Sequence, residues 1–304
     1  MKERLFLVAI ESGFKFVCRQ MDIKVLFSDW DGYELLDSGD RLKLERFGEV
    51  VVIRSEPKAW WRKSSPEIWK NADARYLDDD KKNSKWQFFK KVKPPVMDFN
   101  GVKFATKFMD GSKHLGVFPE QSPHWDFIAK SASQRKNPRL LNLFGYTGAA
   151  TLVAAKSGWL ATHVDASKPS VEWARKNQEI SGLSEKPVRW IIDDALKFAQ
   201  REARRGAKYD AIVLDPPAFG RGPKNELWKL EKMLPQLLEA CQKILSENPM
   251  FVMMTLYSIE ASSVMAQNML KSYFPKLSVS CGELALEGSG MPLPLSIWAI
   301  ASAM

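Results

Sequence analysis

The segment Asp215-Pro216-Pro217-Ala218-Phe219-Gly220-Arg221 is the part of this chain whose residue types point most directly to chemistry. It follows Ala211-Ile212-Val213-Leu214, an apolar run suited to an interior strand of a parallel sheet. Ligands of open α/β sheets bind outside the carboxyl ends of the strands. The strand would therefore deliver a carboxylate, two stiff prolines and an aromatic ring to a binding crevice. The Asp215 carboxylate and the carbonyls of Pro216 and Pro217 accept hydrogen bonds, and Phe219 offers a flat face on which a base can stack. That set suits an enzyme that holds the amino edge of a planar nucleobase or amide. The plainer alternative is a strand-to-loop turn, because Asp-Pro and Pro-Pro both mark turns.

Polar residues also close three other strands. Asn142-Leu143-Phe144-Gly145-Tyr146-Thr147-Gly148 joins a strand to a helix. Its glycines permit tight turns and close ligand approach, and the helix start offers free N–H groups. Asp165 closes the next strand, where an acid can accept hydrogen bonds from both hydroxyls of a ribose. Asp193-Asp194 closes a third, where a carboxylate can receive the amino group of an adenine. The ordered set describes an adenosine. The G-x-G-x-x-G fingerprint is absent, which disfavours a dinucleotide. Taken singly, each residue has a simpler use: Asp165 can cap the helix after it, and Asp193 or Asp194 the helix from Ala195.

Positioning these residues requires alternating strands and helices, hence a parallel sheet covered on both faces. The pattern predicts strands at 139–144, 160–165, 188–193, 211–214 and 250–255, with late strands near 277–286 and 295–301. Helices are predicted at 148–157, 169–181, 195–205, roughly 225–246 and 262–272. Residues 1–97 differ in texture, with five of the eleven tryptophans and short alternating runs such as Glu49 to Arg54. They read as a small β-rich domain. Residues 98–304 then form the larger domain, and 77–95 reads as an exposed linker between them. Between 62 and 93, ten Lys/Arg face five acids, with Trp69, Trp86, Phe88 and Phe89 interleaved. Such a segment can track a phosphate backbone, or be a solvated surface over buried tryptophans. The net charge of +9 is compatible with an anionic partner. Three scattered cysteines and three histidines offer no metal-site spacing, and they fit a reducing, cytoplasmic setting. No apolar run is long enough to span a membrane.

N-L-F-G-Y-T-G, H-V-D-A-S-K, D-D-A-L-K-F and D-P-P-A-F-G-R-G, in that order, resemble the motifs of class I S-adenosylmethionine-dependent methyltransferases of the rRNA large-subunit type. That group includes 23S rRNA cytosine carbon-5 and guanine methyltransferases. The resemblance spans about residues 99–304 and implies a Rossmann-like, seven-stranded α/β domain with S-adenosyl-L-methionine as cofactor. It implies that Asn142, Phe144, Gly145, Tyr146, Thr147 and Gly148 line the methionine end. It puts Asp165, Ala166 and Ser167 at the ribose, Asp194 and Ala195 by the adenine, and Asp215, Pro216, Pro217 and Phe219 at the target group. The segment from His114 to Gln121 resembles a family stretch ending in an F-x-x-x-Q-like pattern, so Phe118 and Gln121 reach the cofactor. A packed hairpin is the alternative for that segment.

Two departures from the family bear on the chemistry. Carbon-5 methylation of a pyrimidine needs a nucleophile, and a cysteine follows the fifth strand in the cytosine enzymes of the group. Here the place reads Thr255-Leu256-Tyr257-Ser258, and Cys241 and Cys281 fall in apolar patterns. Transfer to a nitrogen is the expectation, with RNA, and rRNA in particular, as substrate. The family's usual N-terminal RNA-binding domain is also missing from the pattern. The alternatives are a protein or small-molecule N-methyltransferase, and a non-catalytic RNA-binding protein that retains the cofactor fold.

Overall fold

A computed structural model describes residues 5–9, 15–19, 22–78, 84–257 and 259–303. The N-terminal part contains a hairpin of β1 (Leu5–Ala9) and β2 (Lys15–Arg19), then β3 (Ile23–Phe27). A five-stranded sheet follows, built from β4 (Tyr33–Gly39), β5 (Leu42–Phe47), β6 (Val50–Ser55), β7 (Ala74–Leu77) and β8 (Lys85–Phe88). A hairpin of β9 (Val96–Phe99) and β10 (Val102–Ala105) leads to α1 (Ser122–Ser131).

The alternating region then runs β11 (Arg139–Leu143), α2 (Ala149–Lys156), β12 (Leu160–Asp165), α3 (Lys168–Ile180), β13 (Val188–Ile192), α4 (Ala195–Arg204) and β14 (Ala211–Leu214). It continues with a hairpin of β15 (Phe219–Arg221) and β16 (Leu227–Lys229), then α5 (Leu230–Ile244), β17 (Phe251–Leu256), α6 (Ser263–Tyr273), β18 (Ser278–Leu286) and β19 (Leu293–Ser302). The large sheet has the order β13-β12-β11-β14-β17-β19-β18-β3. Its first five strands are parallel and β19 is antiparallel to both its neighbours. Helices α4, α5 and α6 bury Phe198, Leu237, Leu238 and Leu270 against one face. Helices α1 and α2 bury Ile128 and Ala154 against the other.

The α/β architecture is as expected, with three differences. First, the seven strands expected of the larger region are joined by an eighth from the N-terminal part, because β3 pairs in parallel with the edge strand β18. Gly282 makes this pairing possible: a Cβ there would lie 1.7 Å from the Lys24 carbonyl oxygen. Second, the helix expected from about 225 begins at Leu230. The preceding residues fold into the β15–β16 hairpin, whose turn places Asn225 at a φ of 67°. Third, part of the expected linker is structured, since β8 pairs with β7 within it. Residues 79–83 of that stretch lie outside the described residues.

The N-terminal sheet shares a core with the larger region. Trp30, Tyr33 and Phe47 pack in one cluster with Phe104, Trp125 and Leu152. Its charges are also buried. Arg54 donates to both carboxylate oxygens of Glu45 at 2.6 Å, and the Tyr33 hydroxyl donates to Oε1 at 2.7 Å. Burial by itself would raise the Glu45 carboxyl. The Arg54 and Lys43 charges, with hydrogen bonds from Arg54 and Tyr33, outweigh burial and bring it to about 2.

Removing one member of such a pair strands the other charge in the interior, at a cost of about 3–5 kcal/mol. Glu45→Gln should lower unfolding stability by that order in urea titrations at pH 7. The depressed carboxyl contributes above its unfolded value of about 4.3 and stops contributing as pH falls toward 2. The gap between wild type and Glu45→Gln should therefore narrow when both are compared near pH 3.

Candidate active site

The loop after β11 owes its shape to two glycines with different jobs. Gly148 has a φ of 87°, a left-handed conformation that side chains disfavour. Gly145 lies so close to His163 that a Cβ would sit 2.4 Å from the ring. Phe144 and Tyr146, on either side of Gly145, are also left-handed, with φ of 61° and 49°. A buried chain of side chains supports the turn: Asn142 Nδ2 donates to Thr151 Oγ1 at 2.8 Å, which lies 2.9 Å from His163 Nδ1. Burial pushes the His163 imidazole down to about 3, so the ring is neutral at physiological pH. The Thr147 hydroxyl donates to the Gly116 carbonyl, and Asn177 Nδ2 to the Thr147 carbonyl at 3.0 Å. The loop is thus held from three sides.

Asp165 reinforces it. Its Oδ2 accepts the Tyr146 N–H and its Oδ1 the Ser167 N–H, both at 2.8 Å. Burial raises the carboxyl above its usual range, and these two backbone bonds oppose the rise. A carboxylate has about four acceptor positions, so one on each oxygen remains for a ligand diol. Ser167, not Asp165, caps α3. Asp194 does cap α4, accepting the Lys197 N–H at 2.9 Å through Oδ1. Asp193 is engaged by Arg201 at 2.6 Å.

At the other end of the cleft, the Asp215 carboxyl is left largely alone. Gln121 Nε2 approaches its Oδ2 at 3.4 Å, while Oδ1 is buried with no hydrogen-bond partner. Burial raises this carboxyl to about 7, with a further push from the negative charge of Glu120. Gln121 is oriented by His124, whose Nδ1 lies 3.0 Å from Gln121 Oε1 and 3.3 Å from Thr255 Oγ1. Burial also keeps His124 neutral, lowered to about 3. The His124 ring can therefore donate through Nδ1, which aims the Gln121 amide nitrogen at Asp215.

These groups line one cavity of about 430 Å³. It brings together Phe118, Gln121, Asn142, Phe144, Gly145, Tyr146, Thr147, Asp165, Ala166, Ser167, Asp194, Ala195, Asp215 and Pro217. Gly148 lies behind the wall as the first residue of the α2 cap. Pro216 is buried and is not part of the wall. The Pro217 carbonyl already accepts one hydrogen bond, from Trp228 Nε1 at 2.7 Å, which leaves one of its two acceptor positions. Phe219 does not line the cavity either: it lies on β15, 57% exposed. The aromatic surface beside Asp215 comes from Trp228, whose ring centroid is 4.9 Å from that of Phe144, and from Tyr257. Sequence reasoning missed Trp228 because the hairpin that brings it back to Pro217 was read as helix. Tyr257 was visible only as the residue standing where a cysteine was sought. His114 and Ser112, from the segment after β10, complete the wall. Among the described residues no cysteine lines the cavity, and Cys241 and Cys281 are fully buried in the core.

No family model matches the chain. A crystal structure of the SAM-dependent methyltransferase from Agrobacterium tumefaciens does, with a TM-score of 0.88 at 39% identity, covering 92% of this chain and 94% of that one. The chain belongs to the S-adenosylmethionine-dependent methyltransferases. Ribosomal RNA large subunit methyltransferase I of Aeromonas salmonicida is 32% identical over 152 residues, which are 50% of this chain and 35% of that protein. The methyltransferase described here spans less than half the length of the curated relatives it matches. A methyltransferase structure from Streptococcus mutans aligns with a TM-score of 0.70 at 17% identity over 98% of this chain and 87% of that one, a likeness of fold alone.

The cavity suits the family's cofactor. It offers spare carboxylate acceptors at Asp165, a glycine turn that brings backbone close to a ligand, and an unpaired acceptor at Asp215. No group of acidic, cysteine or histidine side chains among the described residues could hold a metal ion. No helix among them is long and apolar enough to cross a membrane.

Charge-assisted hydrogen bonds to Asp165 are worth about 1.5–3 kcal/mol each. Asp165→Ala should weaken S-adenosylmethionine binding at least tenfold, and Asp165→Asn less. Calorimetry on the folded variants checks this, and unchanged affinity would remove Asp165 from the cofactor site.

Proposed function

We propose that this methyltransferase transfers a methyl group to a nitrogen of an RNA base, with ribosomal RNA as the substrate. The observation that carries the reading is Asp215, a buried carboxyl with one unpartnered oxygen at the target end of the cleft. A buried acceptor without a partner costs stability, and such groups persist where they have a use. An amino nitrogen would satisfy it by donating an N–H. That no cysteine among the described residues lines the wall supports nitrogen over pyrimidine carbon, because carbon-5 chemistry needs a thiolate. The names of the curated relatives, which specify ribosomal RNA, support the substrate class, as does the net charge of +9. Unpaired Cys241 and Cys281 fit a reducing, cytoplasmic setting.

When bound, S-adenosylmethionine supplies an electrophilic methyl on a sulfonium. The protein's own work is alignment and proton handling. Alignment of reactants can supply on the order of 7–11 kcal/mol of a barrier. The Asp165 and Asn142–Gly148 elements fix one reactant. Asp215, braced by Gln121 and His124, would hold the acceptor nitrogen through its N–H. That contact draws the nitrogen lone pair out of the ring's delocalisation. The Asp215 carboxylate is then placed to take the proton that the methylated nitrogen must shed. Trp228, Phe144 and Tyr257 would flank the base and exclude water. Phe219, exposed on the hairpin, would reach RNA outside the cleft.

A methyl-transfer assay on total RNA, protein extract and buffer components tests the reading. Label in RNA is the expected outcome, and label in protein alone would overturn it. Asp215→Ala should cut turnover sharply while leaving cofactor affinity within a few-fold. Because the carboxylate is the working form and its raised pKa is about 7, kcat should rise with pH toward about 7 and level off above it. Asp215→Asn should abolish that limb. Replacing Cys18, Cys241 and Cys281 together should leave turnover per folded molecule intact. A covalent enzyme–RNA adduct trapped in wild type would transfer the reaction to carbon.

A further inference from the structure

The N-terminal sheet has two faces of different character. Lys43, Glu45 and Arg54 point toward the segment carrying Lys113 and His114, and so toward the catalytic cleft. The alternate residues Leu42, Leu44 and Ile53 point the other way, where Trp69 covers them from a short 3-10 turn, Pro66–Asn71. A second cavity of about 320 Å³ opens on this outer face. Leu42, Ile53 and Trp69 form its floor, and Lys63, Lys70, Arg75 and Phe89 border it.

The border is unusual in its charge. It carries three cations and no acid. Among the described residues none of the three is paired with a carboxylate, whereas Lys90 and Arg46 on the same sheet do pair, with Asp73 and Glu34. Lys63 instead sits 4.1 Å from the centroid of the Trp69 ring. An aromatic ring at the border is exposed as well: Phe89 is 50% exposed.

We infer that this outer groove binds a single-stranded stretch of the RNA substrate, with Lys63, Lys70 and Arg75 on its phosphates and Phe89 against a base. The inference rests on the RNA reading of the catalytic cleft and adds a second contact to it. Cations set around an exposed aromatic ring suit a strand of alternating phosphates and flat bases. An acidic peptide would satisfy the cations but has no use for the ring. The groove lies on the sheet face away from the cleft, so its role is to hold flanking RNA. Removing it should act on affinity and KM, not on the transfer step.

The test uses the full chain and an oligouridylate of about twelve nucleotides, within the usual range for single-strand sites. Lys70→Gln/Arg75→Gln should weaken binding about tenfold. It should also reduce the slope of log affinity against log salt by about 1.4, since each single-strand phosphate contact contributes about 0.7. Phe89→Ala should weaken binding about tenfold at all salt concentrations. A charge-matched control, Lys271→Gln/Lys276→Gln on an exposed helix end and loop, should change neither beyond about twofold. Cofactor affinity, read by calorimetry, should match wild type in every variant. If groove and control variants weaken binding equally, the effect is net charge and the groove inference falls. If wild type methylates total RNA but the groove variants show unchanged KM for it, the groove falls while the cleft reading stands. If wild type neither binds nor methylates RNA, both fall. Binding of a poly-glutamate peptide with the same dependence on Phe89 would reassign the groove to a protein partner.

Discussion

Parallel pairing of β11 with β12 on one side and β14 on the other is the constraint on which the site depends. Leu143 stands opposite both Val164 and Leu214. The next residues along the three strands, Phe144, Asp165 and Asp215, must then emerge at one edge of the sheet. The backbone continues the alignment past the strands, because Gly145 N–H donates to the Val164 carbonyl and Asp215 N–H approaches the Leu143 carbonyl at 3.4 Å. A register shift of one residue would turn each of these side chains to the other face. The interior cannot tolerate that, since Leu141, Leu143, Ile212 and Leu214 are all fully buried. Hydrophobic burial thereby sets the positions of polar groups that contribute nothing to it.

The second wall of the cleft comes from a different part of the chain and is held by different forces. Ser112, His114, Phe118 and Gln121 belong to the segment between β10 and α1. That segment is fixed to the N-terminal sheet by hydrogen bonds: Arg54 donates to the Lys113 carbonyl at 3.1 Å, and Lys113 Nζ to the Ser55 carbonyl at 2.9 Å. Arg54 is itself set by Glu45, which the Tyr33 hydroxyl holds in turn. Burial, reinforced by the nearby positive charges of Arg54 and Lys113, drives the His114 imidazole down to about 3, so the cleft wall stays neutral at that point. A buried ion pair is a poor source of net stability next to a well-packed apolar substitute. What this one does is define geometry, because a bidentate carboxylate–guanidinium contact has one good arrangement.

The strand-end acids were legible in the sequence because an open parallel sheet sends functional residues to one edge, and because the apolar runs before Asp165 and Asp215 are unbroken. The sequence could not show how far each acid is already committed. Asp194 is partly engaged in capping α4, and the Pro217 carbonyl partly in accepting from Trp228. The cap, three residues long, was one of the two uses the sequence offered for that acid, whereas the Trp228 contact spans eleven residues of an unforeseen hairpin and leaves no spacing signature. The hairpin from Phe219 to Lys229 was hidden for a related reason: its second strand runs into α5 without a turn residue, so one continuous helix was the simpler pattern. β3 was missed as a member of the large sheet because its partner, β18, lies more than 250 residues away. Nothing in the composition of Ile23–Phe27 names that neighbour, though Gly282 marks in retrospect where a backbone had to come close.

Asp215 shows why such a site has to be built against the grain of the fold. A carboxyl taken out of water loses hydration that protein groups must replace. Asp165 is repaid by two backbone N–H groups and Glu45 by a guanidinium, and each remains strongly attached to its partners. Asp215 has one long contact from Gln121 and the negative charge of Glu120 nearby. The surroundings thus raise its proton affinity toward neutrality and leave one oxygen without a partner. A better-satisfied Asp215 would be a more stable and weaker base, with no acceptor left to offer. The neutral His124–Gln121 pair meets the remaining requirement. It fixes the direction of the carboxyl without adding a positive charge, which would lower its pKa and remove the basicity that burial created.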